Sequence, residues 1–186
     1  MRWGVISTGW VARTFIAALR ESEDAQVVAV ASRDTGRAAA TAAEFGLARA
    51  YGTYAELLAD PDVDAVYIGL PNSLHAEWAI ASVRAGKHVL CEKPLAVSSA
   101  EAEAMFEAAR TAGVWLMEAF MYRFHPQTLK VQELIGAGAI GEVRLVRAAF
   151  CFTVSDPANV RLSSELAGGA LRDVGCYPVN FARMIA

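Results

Sequence analysis

Short apolar segments alternate with helix-forming segments through the first two thirds of the chain, and this alternation constrains the fold most. Segment 27–32 is a nearly continuous apolar run, as expected for a strand of a sheet that is covered on both faces. The helix predicted at 35–45 is rich in alanine and precedes Gly46, a typical C-cap. The alternation predicts an α/β fold with a doubly wound parallel sheet.

The remaining elements follow from periodicity and capping signals. Thr53 with Glu56, and Ser98 with Glu101, have the spacing of capping boxes that open helices. The predicted strands are 3–7, 27–32, 65–69, 89–91 and 114–118, and the predicted helices are 11–21, 35–45, a short one after Thr53, 74–85 and 98 to about 112.

The pattern changes near residue 120. A helix is predicted at 127–135, and 141–154 has the pattern of one long strand of more than about 40 Å. A helix with irregular first turns, because of Pro178, should run from residue 170 to the end. We therefore expect a Rossmann domain at 1–122, followed at 123–186 by the incomplete beginning of an α+β domain that binds substrate and forms oligomers.

Composition excludes several classes of protein. The net charge is −3 and no basic stripe is present, so we expect no nucleic-acid partner. The three cysteines lack metal-ligand spacing, and we expect free thiols and no metal. No apolar run reaches the length of a membrane helix, and a strand predicted at the N-terminus leaves no room for a signal peptide. We expect a cytoplasmic protein.

The segment after the first strand has the context of a dinucleotide-binding turn, because it also opens a helix. Gly9 would let the backbone approach a pyrophosphate at the helix N-terminus. Ser7 replaces the first glycine expected in such a turn, and an ordinary tight turn is the alternative. The candidate contacts are Ser7, Thr8, Gly9, Trp10 and Val11.

The tip of the second strand indicates which dinucleotide is bound. NAD-binding proteins usually place an acid here for the ribose 2′-hydroxyl. This chain instead has Ser32 and Arg33, with Arg37 one turn further on, which suits a 2′-phosphate. Arg33 could equally be a solvated side chain. Asp34 weakens the distinction, because an acid near this tip is typical of proteins that bind NAD. We expect NADP, with NAD less favoured.

The end of the strand predicted at 65–69 is also followed by polar residues. In segment 70–75, Leu70, Pro71 and Asn72 are candidate cofactor contacts, and Asn72 can hydrogen-bond beside a nicotinamide ribose. His75 fits either the same site or a helix cap.

An acid and an amine, Glu92 and Lys93, follow the next strand. Lys93 is one of only three lysines among 17 basic residues. A lysine can be tuned to release a proton whereas an arginine cannot, so this choice suggests proton chemistry. A surface ion pair is the alternative.

Near the end of the chain, Asp173 and Tyr177 are four residues apart and share a helix face. They could form an acid–base pair, or be a capping aspartate and a core tyrosine. The aromatic loop 120–126 suits a domain interface, and within it Arg123 is a further candidate cofactor contact.

Together these motifs resemble the glucose–fructose oxidoreductase and inositol dehydrogenase (Gfo/Idh/MocA) family over essentially the whole chain. The resemblance implies that Lys93, Asp173 and Tyr177 are catalytic, and that Gly9, Pro71, Asn72, His75 and Glu92 lie at cofactor positions. Many members have histidine where Tyr177 stands. Tyrosine there, with segment 117–124, is most similar to dihydrodiol dehydrogenases and NADP-dependent sugar dehydrogenases such as xylose dehydrogenase.

The resemblance implies an NADP-dependent oxidoreductase that moves hydride between nicotinamide and the carbinol carbon of a sugar or cyclic diol. It also implies a homo-oligomer, formed through the C-terminal sheet when full length. Two alternatives stay open: a catalytically inactive dinucleotide-binding fragment, and a structural partner of another chain that completes its sheet.

Overall fold

The computed structural model describes all residues from Met1 to Ala186. They form two compact units, Met1–Glu118 and Ala119–Ala186, which we call the first and second unit. The division falls a few residues before the domain boundary expected at 122. No helix is both long and apolar enough to cross a bilayer.

The first unit is an α/β fold with one six-stranded sheet, in which every neighbouring pair of strands is parallel. The order 3-2-1-4-5-6 is that of a Rossmann fold, so the predicted fold class is confirmed. The strands are β1 (Arg2–Ile6), β2 (Gln26–Ala31), β3 (Arg49–Tyr51), β4 (Ala65–Ile68), β5 (His88–Cys91) and β6 (Leu116–Glu118). The helices are α1 (Trp10–Leu19), α2 (Thr35–Phe45), α3 (Tyr54–Ala59), α4 (His75–Arg84) and α5 (Ser99–Ala112).

The sheet is covered on both faces, which explains the apolar strands. Strand β4 shows this directly, since Val66 and Ile68 join the cluster built with α3, α4 and α5. The residue between them, Tyr67, points into the opposite cluster with Ala12 and Ile16 of α1. Successive side chains of a strand alternate between faces, so a continuous apolar run is needed to fill both clusters.

The capping predictions are confirmed where they fix helix ends. Thr53 and Glu56 form the reciprocal capping box at α3. Ser98 accepts from the Glu101 amide at α5, whereas the Glu101 carboxylate accepts from the amide of Val97 instead of Ser98. Gly46 ends α2 in the left-handed conformation that glycine adopts without steric cost. These caps fix where each helix begins relative to the sheet.

The edge of the sheet where the strands begin carries an ionic network. The Arg2 guanidinium hydrogen-bonds Asp64 and lowers the pKa of that carboxyl to about 2. Nearby, Arg49 pairs with the buried Asp60. Lys87 is buried, and its Nζ donates to two backbone carbonyls, those of Asp60 and Val63. These charges are satisfied within the fold.

The second unit contains helices but no strand. Helix α6 (Pro126–Gly136) confirms the predicted helix at 127–135. The last helix begins with a π-helical turn, Leu171–Gly175, and continues as α7 (Cys176–Ile185), as the expected irregular start implied. Two short 3₁₀ segments, Met121–Phe124 and Val160–Leu162, complete the unit.

The long strand expected at 141–154 is wrong. Residues 141–159 form neither helix nor strand. A strand is defined by hydrogen bonds to a neighbouring strand, and no segment of this chain pairs with these residues. The alternating side chains are therefore present without the ladder that would make them a strand.

Candidate active site

The candidate site of the first unit lies at the edge of the sheet where the strands end. Because all six strands are parallel, the loops that follow them meet at this edge. The strand order reverses between β1 and β4, and ligands of open α/β sheets bind at such a reversal. Four of the predicted segments lie here: 7–11 after β1, 32–37 after β2, 70–75 after β4 and 92–93 after β5.

The turn after β1 contains a residue with a positive φ and a local hydrogen bond. Ser7 has φ 134°, in the region that favours glycine, although it carries a side chain. Its Oγ accepts a hydrogen bond from the Gly9 amide at 3.0 Å. Gly9 is the N-cap of α1 and makes no side-chain capping bond. Ser7 therefore replaces the expected glycine in sequence while keeping a glycine-like backbone.

The same turn fits an anionic dinucleotide. The N-terminus of a helix presents unpaired amides and a positive dipole end, and no side chain caps these amides in α1. Across the turn, a Cβ on Gly69 would fit only tightly, because it would lie 3.2 Å from the Tyr67 ring and 3.3 Å from Val11. Trp10 is highly exposed, and Thr8 is half-buried beside it.

The tip of β2 combines a buried serine with exposed cations. Ser32 is buried, and its Oγ accepts from the Asp34 amide at 3.2 Å. Asp34 is the N-cap of α2, accepts from the Arg37 amide at 3.0 Å and pairs with the Arg37 guanidinium at 3.4 Å. Burial raises the pKa of Tyr54, and the nearby Arg33 guanidinium opposes that shift. The one acid at this tip is thus engaged in capping, while Arg33 and Arg37 stay at the surface.

The loop after β4 is held from below by His75. Leu70, Pro71 and Asn72 are half-buried in this loop, and Asn72 begins a short 3₁₀ turn. The His75 ring is fully buried, with Nδ1 2.8 Å from the Pro94 carbonyl oxygen and Nε2 2.9 Å from that of Leu70. It neither caps α4 nor reaches the surface. His75 instead joins the loop after β4 to the loop after β5.

The protonation of His75 is set by its burial. Burial lowers its pKa, and this effect outweighs the two carbonyls, which favour the charged ring. A neutral imidazole donates through one nitrogen only. A neutral ring would therefore donate to only one of the two carbonyls, that of Pro94 or that of Leu70, depending on its tautomer.

Glu92 and Lys93 stand together after β5, as predicted. Glu92 is buried; its Oε1 accepts from the Tyr67 hydroxyl at 2.6 Å, and its Oε2 accepts from the Lys93 amide at 3.2 Å. Lys93 is half-buried and joined to Pro94 by a cis peptide bond. Just beyond, the Leu95 amide donates to Glu118 Oε1 at 2.8 Å. The loop that carries Lys93 is thus held at several points, and one of them, Tyr67, was not predicted.

In the second unit, Asp173 lies in the π-helical turn and is held by an arginine. Arg161 Nε donates to Asp173 Oδ2 at 2.9 Å. The Arg161 carbonyl accepts from the Gly169 amide at 2.8 Å, and a Cβ on Gly168 would lie 2.4 Å from that carbonyl oxygen. The glycine pair therefore lets the chain pack closely against Arg161. The sequence carried no signal for Arg161, because its role depends on this local fold.

Tyr177 lies one turn after Asp173, at the start of α7, within an aromatic cluster. Its hydroxyl donates to Met121 Sδ at 3.6 Å, and its ring packs near Phe120, Tyr122 and Phe150 at centroid distances of 5.3, 5.7 and 5.4 Å. π-helical turns are frequent at functional sites.

The predicted catalytic residues are divided between the units. Lys93 belongs to the first unit, and Asp173 and Tyr177 belong to the second, as does the exposed Arg123. That the three catalytic candidates meet around one substrate stays a prediction, and so does the assignment of Arg123 to the cofactor.

Comparison with known proteins places this geometry in a family. The model of the oxidoreductase family with an NAD-binding Rossmann fold (GFO_IDH_MocA) matches residues 1–120, and the GFO/IDH/MocA C-terminal domain matches residues 128–186. The chain is 48% identical over 186 residues to D-xylose 1-dehydrogenase (NADP(+)) 2 of Haloferax volcanii, covering 99% of this chain and 57% of that protein. It is 41% identical to trans-1,2-dihydrobenzene-1,2-diol dehydrogenase of Xenopus laevis, covering 99% and 56%.

Solved structures agree. The 3-ketoreductase KijD10 of Actinomadura kijaniata, in complex with NADP and TDP-benzene, matches with a TM-score of 0.94 at 40% identity, covering 100% of this chain and 57% of that one. Aldose-aldose oxidoreductase of Caulobacter crescentus matches with a TM-score of 0.93 at 34% identity, covering 100% and 57%. The chain spans little more than half the length of these relatives. It belongs to the Gfo/Idh/MocA family of oxidoreductases.

Proposed function

We propose that this chain is the NADP-binding part of an oxidoreductase that transfers hydride between nicotinamide and the carbinol carbon of a sugar or cyclic diol. One observation carries the proposal: the uncapped N-terminus of α1 follows a turn in which Ser7 holds a glycine-like backbone. An amide-lined helix start at the reversal of a parallel sheet suits a pyrophosphate. The relatives named for NADP support this reading.

The choice of NADP over NAD depends on the tip of β2. Arg33 and Arg37 are exposed there, next to the buried Ser32. A hydrogen bond to a charged group contributes about 1.5–3 kcal/mol. Contact of one guanidinium with the 2′-phosphate would therefore favour NADP by roughly tenfold to a hundredfold.

The chain's own residues would bind and orient the reactants. The nicotinamide cofactor supplies the hydride donor or acceptor. Glu92 would hold a ribose hydroxyl, and the Lys93 ammonium would stabilise negative charge developing on the substrate oxygen. Tyr177 would take the hydroxyl proton in the oxidation direction or return it in reduction. Asp173, held by Arg161, would orient Lys93 and Tyr177.

Cofactor binding provides the first test. Dissociation constants for NADP and NAD would be measured by quenching of tryptophan fluorescence, to which the exposed Trp10 contributes. NADP should bind more tightly, and Arg33→Ala should remove much of the difference. Arg84→Ala is the matched control, because Arg84 is an exposed arginine in the last turn of α4, away from the strand ends. Tighter binding of NAD by the unmutated chain would refute the choice of NADP.

Turnover provides the second test. Reduction of NADP would be followed with a panel of aldoses and cyclic diols. Lys93→Met and Tyr177→Phe should each lower the rate by roughly 10²–10⁴-fold, the usual contribution of an acid–base group. A near-normal rate in either variant would remove that residue from the mechanism.

A cofactor-binding chain without catalysis is the second candidate. It is favoured by the second unit, which has no sheet in this chain and leaves large apolar side chains exposed. NADP binding without turnover on the panel would support it.

The exposed apolar side chains also motivate the proposal that the chain self-associates in the cytoplasm. Large exposed apolar patches favour association. Light scattering should then show a mass that rises with concentration, and a monomer at all concentrations would contradict this.

A further inference from the structure

We propose that Tyr67 is a positioning residue for cofactor binding, because its hydroxyl fixes the Glu92 carboxylate at the site of the nicotinamide ribose. The proposal rests on the proposed function and deepens it. Tyr67 lies in the core, and no pattern in the sequence connected it with the site. It acts through Glu92 and would not itself touch the ligand.

The register of the sheet brings the two residues together. Strand β4 pairs with β5 so that Tyr67 is opposite Leu90. Glu92 is two residues beyond Leu90 and therefore projects from the same face of the sheet as Tyr67. The Tyr67 hydroxyl lies 2.6 Å from Glu92 Oε1.

Packing holds the Tyr67 ring in one orientation. Only 2% of Tyr67 is exposed. Its ring stacks on Phe15 with a centroid distance of 4.0 Å and an angle of 5° between the planes, and Phe15 in turn meets Trp3 edge-on at 5.4 Å. The position of the hydroxyl is thus set by a stack of rings, one of which belongs to α1.

The same ring also supports the loop after β4. Its Cε1 lies 3.2 Å from the position that a Cβ of Gly69 would occupy. Tyr67 is therefore packed beneath the point where the strand order reverses, and its hydroxyl reaches sideways to the loop that carries Glu92 and Lys93.

The hydrogen bond matters because Glu92 is only 8% exposed. A buried carboxylate that loses a hydrogen-bond partner is left with an unsatisfied oxygen, which favours a turn of the side chain towards water. Here Tyr67 holds one oxygen and the Lys93 amide holds the other. A carboxylate has about four acceptor positions, so capacity remains for a ribose hydroxyl. Removing the Tyr67 hydroxyl should misplace this acceptor while leaving the core filled.

The decisive variant is Tyr67→Phe, which keeps the ring and its stack on Phe15. The readout is the dissociation constant for NADP, measured with the 186-residue chain, so the test does not depend on turnover. We expect binding weaker by about tenfold, as for the loss of one hydrogen bond to a charged group. An unchanged dissociation constant would overturn the proposal.

Tyr51→Phe is the matched control. Its hydroxyl also donates to a buried carboxylate, Asp60 Oδ2, at 2.9 Å, but that carboxylate belongs to the ionic network with Arg49. This variant should lose thermal stability without losing NADP affinity. Equal losses of affinity in the two variants would indicate general loosening and would overturn a specific role for Tyr67.

A double mutant tests whether Tyr67 acts through Glu92. In a Glu92→Ala background, which removes the acceptor, Tyr67→Phe should cause little further change in the dissociation constant, whereas independent contributions would multiply. Phe15→Leu gives a second route should Tyr67→Phe fail to fold, because it keeps the hydroxyl and removes the ring that orients it. It should weaken binding twofold to fivefold, and unchanged affinity would count against the proposal.

The outcomes separate this inference from the function on which it rests. An unmutated chain that does not bind NADP would overturn the proposed function. An unmutated chain that binds NADP, together with a Tyr67→Phe variant that binds equally well, would overturn this inference alone.

Discussion

The two units of this chain place candidate site residues in opposite physical settings. In the first unit, Glu92 and Lys93 follow β5, a strand that is paired with a neighbour on each side and covered on both faces. In the second unit, Asp173 and Tyr177 stand on a helix beside a long irregular segment, and most of the exposed large apolar side chains lie in this unit.

The difference shows that a site can be built by long-range or by local contacts. Glu92 depends on Tyr67, which is 25 residues away in sequence and reaches it through the sheet. Asp173 depends on Arg161, which is 12 residues away and reaches it through one loop. The contact between Tyr67 and Glu92 should persist until the sheet unfolds. The contact between Arg161 and Asp173 can be broken by local unfolding of one loop.

The largest expected effect compares buried and exposed leucines. Leu57→Ala in the first unit removes a side chain with no exposed surface and should cost about 2–5 kcal/mol of stability. Leu145→Ala in the second unit removes one that is 69% exposed and should change stability by less than about 0.5 kcal/mol. Urea denaturation followed by fluorescence measures both. Equal losses of stability in the two variants would show that Leu145 is buried in the second unit.

A smaller effect is expected where the second unit is tightly built. Gly168→Ala would force a methyl group against the Arg161 carbonyl and should cost roughly 1–3 kcal/mol locally. Hydrogen exchange should then speed up in segment 159–175 and stay unchanged in the first unit. Gly136→Ala, where a Cβ meets nothing within 4 Å at the end of α6, is the control and should be neutral or slightly stabilising. Faster exchange across both units would contradict local construction.

The third prediction concerns pH. Because burial lowers the pKa of His75 below its ordinary 6.5, the unfolded chain binds this proton more readily than the folded one. The contribution of His75 to stability should be complete above pH 6.5 and decrease as the pH falls below it. Denaturation of the first unit at a series of pH values should show this loss, and His75→Gln should remove the part due to His75. The opposite result would be a stability that rises as the pH falls in this range, with no such rise in the variant. It would show that the two carbonyls raise the pKa of His75 more than burial lowers it.

The smallest effect is expected at Ser7. Its φ of 134° costs a residue with a side chain about 1–3 kcal/mol, part of which is offset by the greater freedom of glycine in the unfolded chain. Ser7→Gly should therefore stabilise the first unit by about 1 kcal/mol, as measured by thermal denaturation. Ser7→Ala keeps the strain and loses the bond to Gly9, so it should be less stable than the unmutated chain. Equal melting temperatures for the two variants would argue against strain at this turn.

Sequence predicted the elements whose signals are local. The helix at 35–45 with Gly46, and the capping box at Thr53, were readable because a few adjacent residues determine them. Strand β3 was not predicted, because it has only three residues and lacks an apolar run. Two of the three, Arg49 and Tyr51, have polar ends that hydrogen-bond Asp60. The strand at 141–154 was wrong because a strand needs a partner that its own pattern does not specify.

The candidate site followed the same rule. Residues at strand ends could be named, because parallel strands bring their carboxyl ends to one edge. Tyr67 and Arg161 could not, because their importance comes from register and loop packing. His75 was placed either at the cofactor or at a cap, and the structure shows it buried between two loops.

That position of His75 has a mechanical consequence. One rigid ring sets the separation between the carbonyls of Leu70 and Pro94. Leu70 lies two residues before the candidate contact Asn72, and Pro94 directly follows Lys93. The distance between the two loops is therefore fixed by the size of the imidazole ring that contacts both of them. A change that shifts one loop should be transmitted to the other, so the spacing between the two loops is set by a buried side chain and not by surface contacts.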